Sequence, residues 1–328
     1  MRDTGIERRR VIAGIAGTGL IGMAGCSGGG NGDDGGDDTG DEGRIITWHA
    51  GGTGGTYFPL SGEFEGIIED VTDYDLQVSA TGASVENVGS LASGDADFAL
   101  IQNDIAFFAR NGSGLAAFEG DPIENLRGVA TLYPETIHVI VGPDADIGSF
   151  ADMEGARINT GDLGSGTQVN ALQILESVAG LTPEDFDEQN TDFTQAADQI
   201  RDGDVDVAFV VGGWPVGAVE ELATTVDIGV LNMSDDEREA ALDGASWFAE
   251  DTIPGGTYGG IDGDVDTVSV QAMIATRAEL ESDIVETVTA AIFDNVDRLE
   301  IKSAFIDVET AQNGMSIELH EGAARYFE

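Results

Sequence analysis

Three short stretches of this chain set glycine beside hydroxyl side chains where a helical pattern begins. They are Gly51-Gly52-Thr53-Gly54-Gly55-Thr56-Tyr57, Thr81-Gly82-Ala83-Ser84 and Gly164-Ser165-Gly166-Thr167. Glycine lets a backbone approach a ligand closely, and the first turn of a helix presents N–H groups that lack intrahelical partners and carry partial positive charge. Such a start can hold an anion without a cationic side chain. No lysine or arginine occurs between Gly51 and Arg110, so the first two stretches depend on backbone dipoles. Any one of them also reads as a capped turn with no ligand; three in one chain favour binding.

The candidate ligand contacts are therefore Thr53, Gly55, Thr56 and Tyr57 in the first stretch, Ser84 in the second, and Ser165, Gly166 and Thr167 in the third. A carboxylate suits them, held by backbone N–H groups and by the hydroxyls of Thr53, Thr56, Ser165 and Thr167. Gln102-Asn103-Asp104 follows an apolar run that reads as a strand, at the carboxyl end where open α/β sheets bind ligands. Asp104 is the nearest acceptor for an amino group on the ligand, with Gln102 and Asn103 adding neutral hydrogen bonds; the alternative is that Asp104 caps a helix over residues 105–109. Tyr57, Trp214 and Tyr258 stand in or beside Gly/Pro-rich turns, where a ring either stacks over a ligand or covers the loop.

Catalytic chemistry has less support. Gly52-x-Gly54 is followed by Tyr57 where a dinucleotide fingerprint needs its third glycine, no GxxxxGK[ST] occurs, and Ser165 lies in a GSG tripeptide rather than a GxSxG elbow. The only lysine is Lys302, and His49, His138 and His320 show no metal-ligand spacing. Cys26 is the single cysteine, which excludes an internal disulfide and any multi-cysteine metal site. No cofactor and no enzymatic activity are expected.

The 62 acidic residues against 14 basic ones give a formal net charge of −48, which repels nucleic acid. A hydrophobic fraction of 41% is too high for disorder throughout, and the acids are dispersed among segments with apolar periodicity. The pattern reads as a folded domain with a carboxylate-covered surface, as expected of a halophilic source where salt screens self-repulsion.

Residues 1–25 read as a lipoprotein-type signal peptide. Arg8, Arg9 and Arg10 precede an uncharged run from Val11 to Gly25, too short to span a bilayer, that ends in small residues before Cys26. The arginine pair suggests twin-arginine export, and Cys26 the lipid-bearing residue that anchors the protein to the outer face of the cell membrane. Residues 26–43 are rich in glycine and aspartate with no apolar side chain able to enter a core, an acidic tether.

The elements that must position these residues alternate from Arg44 onward. Strands are expected at 45–49, 76–80, 97–101, 128–132, 138–141, 157–160, 205–211 and 267–275, and helices at 57–71, 85–91, 167–179, 194–201, 215–222 and 283–299. In the last helix Ile284, Val288, Ala291, Ile292 and Val296 share one face. The alternation predicts an α/β fold with mostly parallel sheets. Ser93-Gly94-Asp95-Ala96-Asp97-Phe98-Ala99 parallels Asp202-Gly203-Asp204-Val205-Asp206-Val207-Ala208, and a Gly-rich helix start precedes each. Two similar lobes with a cleft between them would produce this repeat.

The stretches GGTGGTYFPL (51–60), ATGASVENVGSLASGDADFALIQND (80–104), LYPETIHVIV (132–141), GSGTQVNALQIL (164–175), DGDVDVAFVVGGWP (202–215) and TIPGGTYGG (252–260) together resemble the TAXI family, the extracytoplasmic solute receptors of tripartite ATP-independent periplasmic (TRAP) transporters. The resemblance implies a two-lobed type II periplasmic-binding-protein fold, with lobe I over 44–137 and 257–328 and lobe II over 138–256. It also implies an integral-membrane TRAP permease as partner, and a small carboxylate or an amino acid such as glutamate or glutamine as ligand, captured by cleft closure. Ala83 stands where the family has glycine, and Trp214 is bulkier than the small residue expected before Pro215; both reshape the pocket. Two other readings are the solute-binding subunit of an ABC importer and an exported α/β hydrolase.

Overall fold

The structure is a computed structural model that describes residues 43–328. The signal segment, Cys26 and nearly all of the acidic tether lie outside the described residues. The first half of the domain runs β1 (Arg44–His49), α1 (Tyr57–Val71), β2 (Tyr74–Ser79), α2 (Ser84–Ser93), β3 (Phe98–Gln102) and α3 (Asn103–Asn111), and then enters the long strand β4 (Leu126–Val141). A short 3-10 turn follows, and then β5 (Arg157–Asn159), α4 (Gly166–Ala179), β6 (Asp187–Gln189), α5 (Phe193–Asp202), β7 (Val207–Gly212), α6 (Gly217–Ala223), β8 (Gly229–Val230), α7 (Asp235–Gly244) and β9 (Ala249–Ile253). The chain returns through β10 (Val265–Arg277) and closes with α8 (Ser282–Phe293) and α9 (Glu321–Phe327).

Ten strands form one sheet in the order β2-β1-β3-β10-β4-β7-β5-β6, with β8 beside β4 and β9 beside β10. The order is nearly a palindrome. In the first lobe β1 lies between β2 and β3, both parallel to it; in the second, β5 lies between β6 and β7, both parallel to it. The chain order β-α-β-α-β-α is the same in each. The repeated aspartates explain themselves here. Asp97 accepts from the Thr47 N–H at 3.0 Å and pairs with Arg277 at 2.8 Å, while Asp206 accepts from the Arg157 N–H at 2.8 Å and pairs with that residue's guanidinium at 2.6 Å. Each carboxylate thus ties the start of its third strand to the first. Gly94 and Gly203 end the preceding helices with φ of 83° and 72°, a left-handed conformation that glycine adopts without steric cost.

The expectation of mostly parallel sheets holds only toward the two ends. The centre is antiparallel, because β10 pairs with both β3 and β4, and β4 with β7. The two strands expected at 128–132 and 138–141 are one. Pro134 between them has no N–H to give the ladder, and it sits opposite an irregularity in β10 between Gln271 and Met273 that accommodates the loss. Each lobe has its own core. Trp48 stacks on Phe98 at 5.6 Å and meets Phe64 edge-on at 5.7 Å in the first; Phe150, Ile158, Ile174 and Phe209 lie in the second. Both long strands serve both cores. Val129 and Leu132 of β4 belong to the first and Val139 to the second, whereas Val268 and Val270 of β10 belong to the second and Ala272 and Ile274 to the first. Ile284, Val288, Ala291 and Ile292 bury one face of α8, and Val296 falls in a separate 3-10 turn after the helix ends.

The start of α2 generates two predictions. Asn87, fully buried, donates to the Ala50 carbonyl at 2.7 Å and the Leu100 carbonyl at 2.8 Å, so it staples α2 to the exits of β1 and β3. Asn87→Ala leaves both carbonyls buried without a partner and should cost about 2–4 kcal/mol in chemical denaturation. Ala83 has φ 68° and ψ −142°, a region that side-chain-bearing residues rarely occupy. Ala83→Gly should therefore stabilise the fold by about 1 kcal/mol, the relieved strain exceeding the added freedom of the unfolded chain; no rise in the unfolding midpoint would contradict this.

Candidate functional site

The pseudo-symmetric lobes aim four helix starts at one place. The first turns of α1 and α2 come from one lobe and those of α4 and α5 from the other, and together they surround a cavity of about 50 Å³. That exceeds the roughly 10–15 Å³ a single water needs. The four starts are chemically unequal. Ser165 caps α4 by accepting from the Gln168 N–H, and Asp192 caps α5 by accepting from the Gln195 N–H. Neither α1 nor α2 has a side-chain cap, so their leading N–H groups remain available to an anion.

The lobes touch around this cavity, and glycine makes the approach possible. The Ala218 N–H donates to the Gly54 carbonyl at 3.1 Å. A Cβ on Gly54 would lie 2.6 Å from Thr194 Oγ1, and one on Gly166 would collide with the Gln102 side chain. Inside, three buried oxygens have no hydrogen-bond partner: Tyr57 Oη, Gln102 Oε1 and Glu135 Oε1. A buried polar atom left unpaired costs about 1–3 kcal/mol, so the cavity is incomplete as protein alone. Burial pushes Glu135 up to about 8, although the neighbouring Tyr133 hydroxyl, the Lys302 ammonium and the Gly213 backbone favour its carboxylate. Burial likewise pushes the Tyr57 hydroxyl well above its ordinary value, and the nearby Glu135 and Asp104 carboxyls add to the effect.

Of the residues singled out in the sequence, Gly55, Thr56, Tyr57, Ser84 and Gln102 line the cavity from one lobe, and Ser165, Gly166 and Thr167 from the other. Five others are placed elsewhere. Thr53 lies in outer grooves beside Thr194. Asn103 donates to the Gly314 carbonyl at 3.2 Å and accepts from the Gln271 N–H at 3.0 Å, pinning the segment before α9. Asp104 is fully buried and accepts from Asn170 of α4 at 2.7 Å; burial pushes it up to about 6, against that hydrogen bond. It joins the lobes instead of facing the cavity, and α3 begins at Asn103, so it is not the cap of that helix either. Trp214 packs edge-on against Phe305 at 5.8 Å, with its carbonyl accepting from Lys302. Tyr258 is buried in structure: its hydroxyl accepts from the Val216 N–H at 2.9 Å and donates to His138 Nε2 at 2.9 Å. His138 turns its other nitrogen to the Thr136 and Val210 carbonyls, and burial holds its pKa down to about 4, so the ring is neutral.

The cavity also holds Glu135, Asp162, Asp192, Phe193 and Val211, which sequence reading passed over. Glu135 carried a signal: it is the one carboxylate inside the apolar run from Leu132 to Val141. Asp192 carried another, an aspartate three residues before Gln195 at a helix start. Among the described residues, no group of three or more His, Cys, Asp or Glu is arranged to hold a metal.

A solved protein of Bordetella bronchiseptica RB50 shares this two-lobed fold with a TM-score of 0.54 at 15% identity, over 87% of this chain and 83% of that one. Two further similar structures are the alkanesulfonate-binding protein from Xanthomonas axonopodis pv. citri and the ligand-binding component of an ABC-type import system from Staphylococcus aureus. The first has a TM-score of 0.47 at 12% identity over 87% and 83% of the two chains. The second has 0.48 at 11% over 86% and 84%. The fold is the two-lobed α/β periplasmic-binding-protein-like fold. The family model that matches, over residues 49–328, is the NMT1-like one. This corrects the expectation of a TAXI receptor serving a TRAP permease. The motifs behind that resemblance build the cleft, which families of this fold have in common. The expected halophilic source is withdrawn with it, since the match carries no support for one. With 280 consecutive positions matched from His49 to Glu328, the chain belongs to the NMT1-like family.

Proposed function

We propose that this chain captures a small solute bearing a carboxylate or comparable anionic group and presents it, on closure of the two lobes, to the membrane subunits of an ABC-type importer. The observation that carries the reading is the cavity between the lobes in which the uncapped starts of α1 and α2 meet buried polar atoms without partners. An anion there gains hydrogen bonds and the helix-terminal potential, and needs no cationic side chain. Across the cleft Ser165 accepts from the Gln168 N–H and keeps its own proton to donate. The Thr56 hydroxyl is committed to the Gly213 carbonyl at 3.1 Å, so its free role toward a ligand is as acceptor. A ligand favours the closed state only through contacts it makes better there, and a cavity walled by both lobes supplies such contacts. Membership of the NMT1-like family and the two-lobed fold support a transport role.

The location follows from the address segment. Cys26, after small residues and a short apolar run, is proposed to carry the lipid that holds the receptor beside its permease. Cys26→Ser should move the protein from the membrane fraction to the medium, and a variant that stays membrane-bound without its permease would refute the anchor.

For the cleft, thermal-shift measurements with small carboxylates, amino acids and alkanesulfonates should find ligands that raise the unfolding midpoint. A response confined to neutral sugars would overturn the anionic reading. Gly54→Val places methyl groups against Thr194 and Ala218. It should weaken the same ligand by at least about tenfold in calorimetry, by holding the lobes apart. Unchanged affinity would show that closure at this contact is not needed for capture.

A further inference from the structure

Resting on that reading of the cleft, we propose that Glu135 is its specificity-determining group: it takes the ammonium of a zwitterionic solute as a carboxylate and gives up its own proton as the solute enters. The inference begins with what the cavity lacks. Tyr57 Oη, Gln102 Oε1 and Glu135 Oε1 are all oxygens, all in residues more than nine-tenths buried, all without a partner, and all in residues that wall the same space. Gln102 Oε1 and the Glu135 carboxylate call for donors, which an ammonium supplies, and the Tyr57 hydroxyl oxygen can accept a further N–H. A carboxylate alone could take the Tyr57 O–H but would leave Gln102 Oε1 and the Glu135 carboxylate without a donor.

Charge points the same way. Glu135, Asp162 and Asp192 line the cavity, and no lysine or arginine does. Helix dipoles from α1 and α2 therefore favour an anion at one side, while three carboxyl groups favour a cation elsewhere in the same space. A solute bearing one charge of each sign answers both. The position of Glu135 fits the role: it stands on β4, where that strand passes from one core to the other, opposite Val270 of β10. A group there faces the space walled by both lobes.

The proton follows from burial. Before the solute arrives, Glu135 titrates near 8, so at pH 7 most molecules hold it neutral. A solute cation beside it favours the carboxylate and expels the proton. The other groups that face it are Tyr133 on its own strand, Tyr57 on α1, Asp104 on α3 and Lys302 in the segment after α8. Both tyrosines are pushed well above their ordinary value, and Asp104, at about 6, titrates lower than Glu135. Burial pushes Lys302 down to about 8, inside the same window, so its contribution has to be removed by comparison with a variant.

The test uses calorimetry on wild type and Glu135→Gln with the common α-amino acids, each beside the carboxylic acid that lacks the amino group. In wild type, the best amino acid should bind at least about tenfold more tightly than its partner acid. Its affinity should rise about tenfold between pH 6 and 7 and level off above 8, with nearly one proton released at pH 7 when buffers of different ionisation enthalpy are compared. In Glu135→Gln the amino-acid affinity should fall about ten- to a hundredfold, the partner acid should change by less than about threefold, and the proton release should disappear. Whether the variant folds is read separately. An acid whose folded pKa is raised loses stability as pH climbs from its ordinary 4.5 toward about 8. The variant should therefore match wild type near pH 5 and exceed it in unfolding midpoint at pH 9. A partner acid that binds wild type as tightly as the amino acid would overturn the inference and leave the carboxylate reading standing. If no carboxylate of either class binds, the reading of the cleft fails first and the inference with it. An amino acid bound equally by both proteins, with proton release unchanged, would remove Glu135 from the site.

Discussion

The pairing of β4 with β10 is the constraint on which the remainder of the molecule depends. Each of these strands is long enough to contribute to both hydrophobic cores, so the two lobes are not joined by free linkers but share the middle of one sheet. Their contact also breaks regularity at the point of passage, where Pro134 faces the irregular stretch of β10 between Gln271 and Met273. A missing ladder bond and a shifted register there locally disrupt the pairing. The helix starts of the cavity follow β1 and β2 on one side of this pair and β5 and β6 on the other.

The duplication of the lobes gives the cleft its geometry, and small departures from symmetry give it chemistry. α1 and α4 occupy equivalent positions, as do α2 and α5, yet only the second member of each pair carries its own cap. The self-capped starts have their orphan N–H groups partly satisfied inside the protein. The uncapped starts keep them for whatever lies in the cavity. The strained backbone at Ala83 belongs to one of the uncapped starts, as does the staple Asn87 that fixes where it points. Local order is thus concentrated at a helix start whose backbone N–H groups have no side-chain cap.

Electrostatics separates the outside of this protein from the inside. The surface carries a large excess of carboxylates, well solvated, and its arginines are mostly half-exposed in ion pairs such as Arg44–Glu281 and Arg325–Glu321, which contribute little each. Inside, burial penalises the charge of a carboxyl such as Glu135 or Asp104 and pushes its pKa up. The overall charge of the chain therefore says nothing of the sign preferred in the cleft, which is decided by a few buried groups and helix ends.

Much of the fold was legible because its signals are local. The α1 helix was read from Tyr57 to Val71 as it occurs, since apolar spacing and a glycine-rich start are properties of adjacent residues. The repeated Gly-Asp-x-Asp turns announced two similar lobes for the same reason. Elements of weak periodicity escaped, among them the three-residue β6, the two-residue β8, and the charged helix α7, although its Ser234–Glu237 capping box was present to be read. In the cleft, the glycine-hydroxyl helix starts were visible because helix ends advertise themselves in sequence. The remainder was not. That Asp104 would turn to Asn170 and that Tyr258 would be held by His138 and Val216 depend on contacts across 66, 120 and 42 residues, and that Glu135 Oε1 would be left without a partner depends on the same packing. A side chain's neighbours in space are set by how sheet and helices stack, and only the tertiary structure decides which polar groups that stacking leaves facing the ligand.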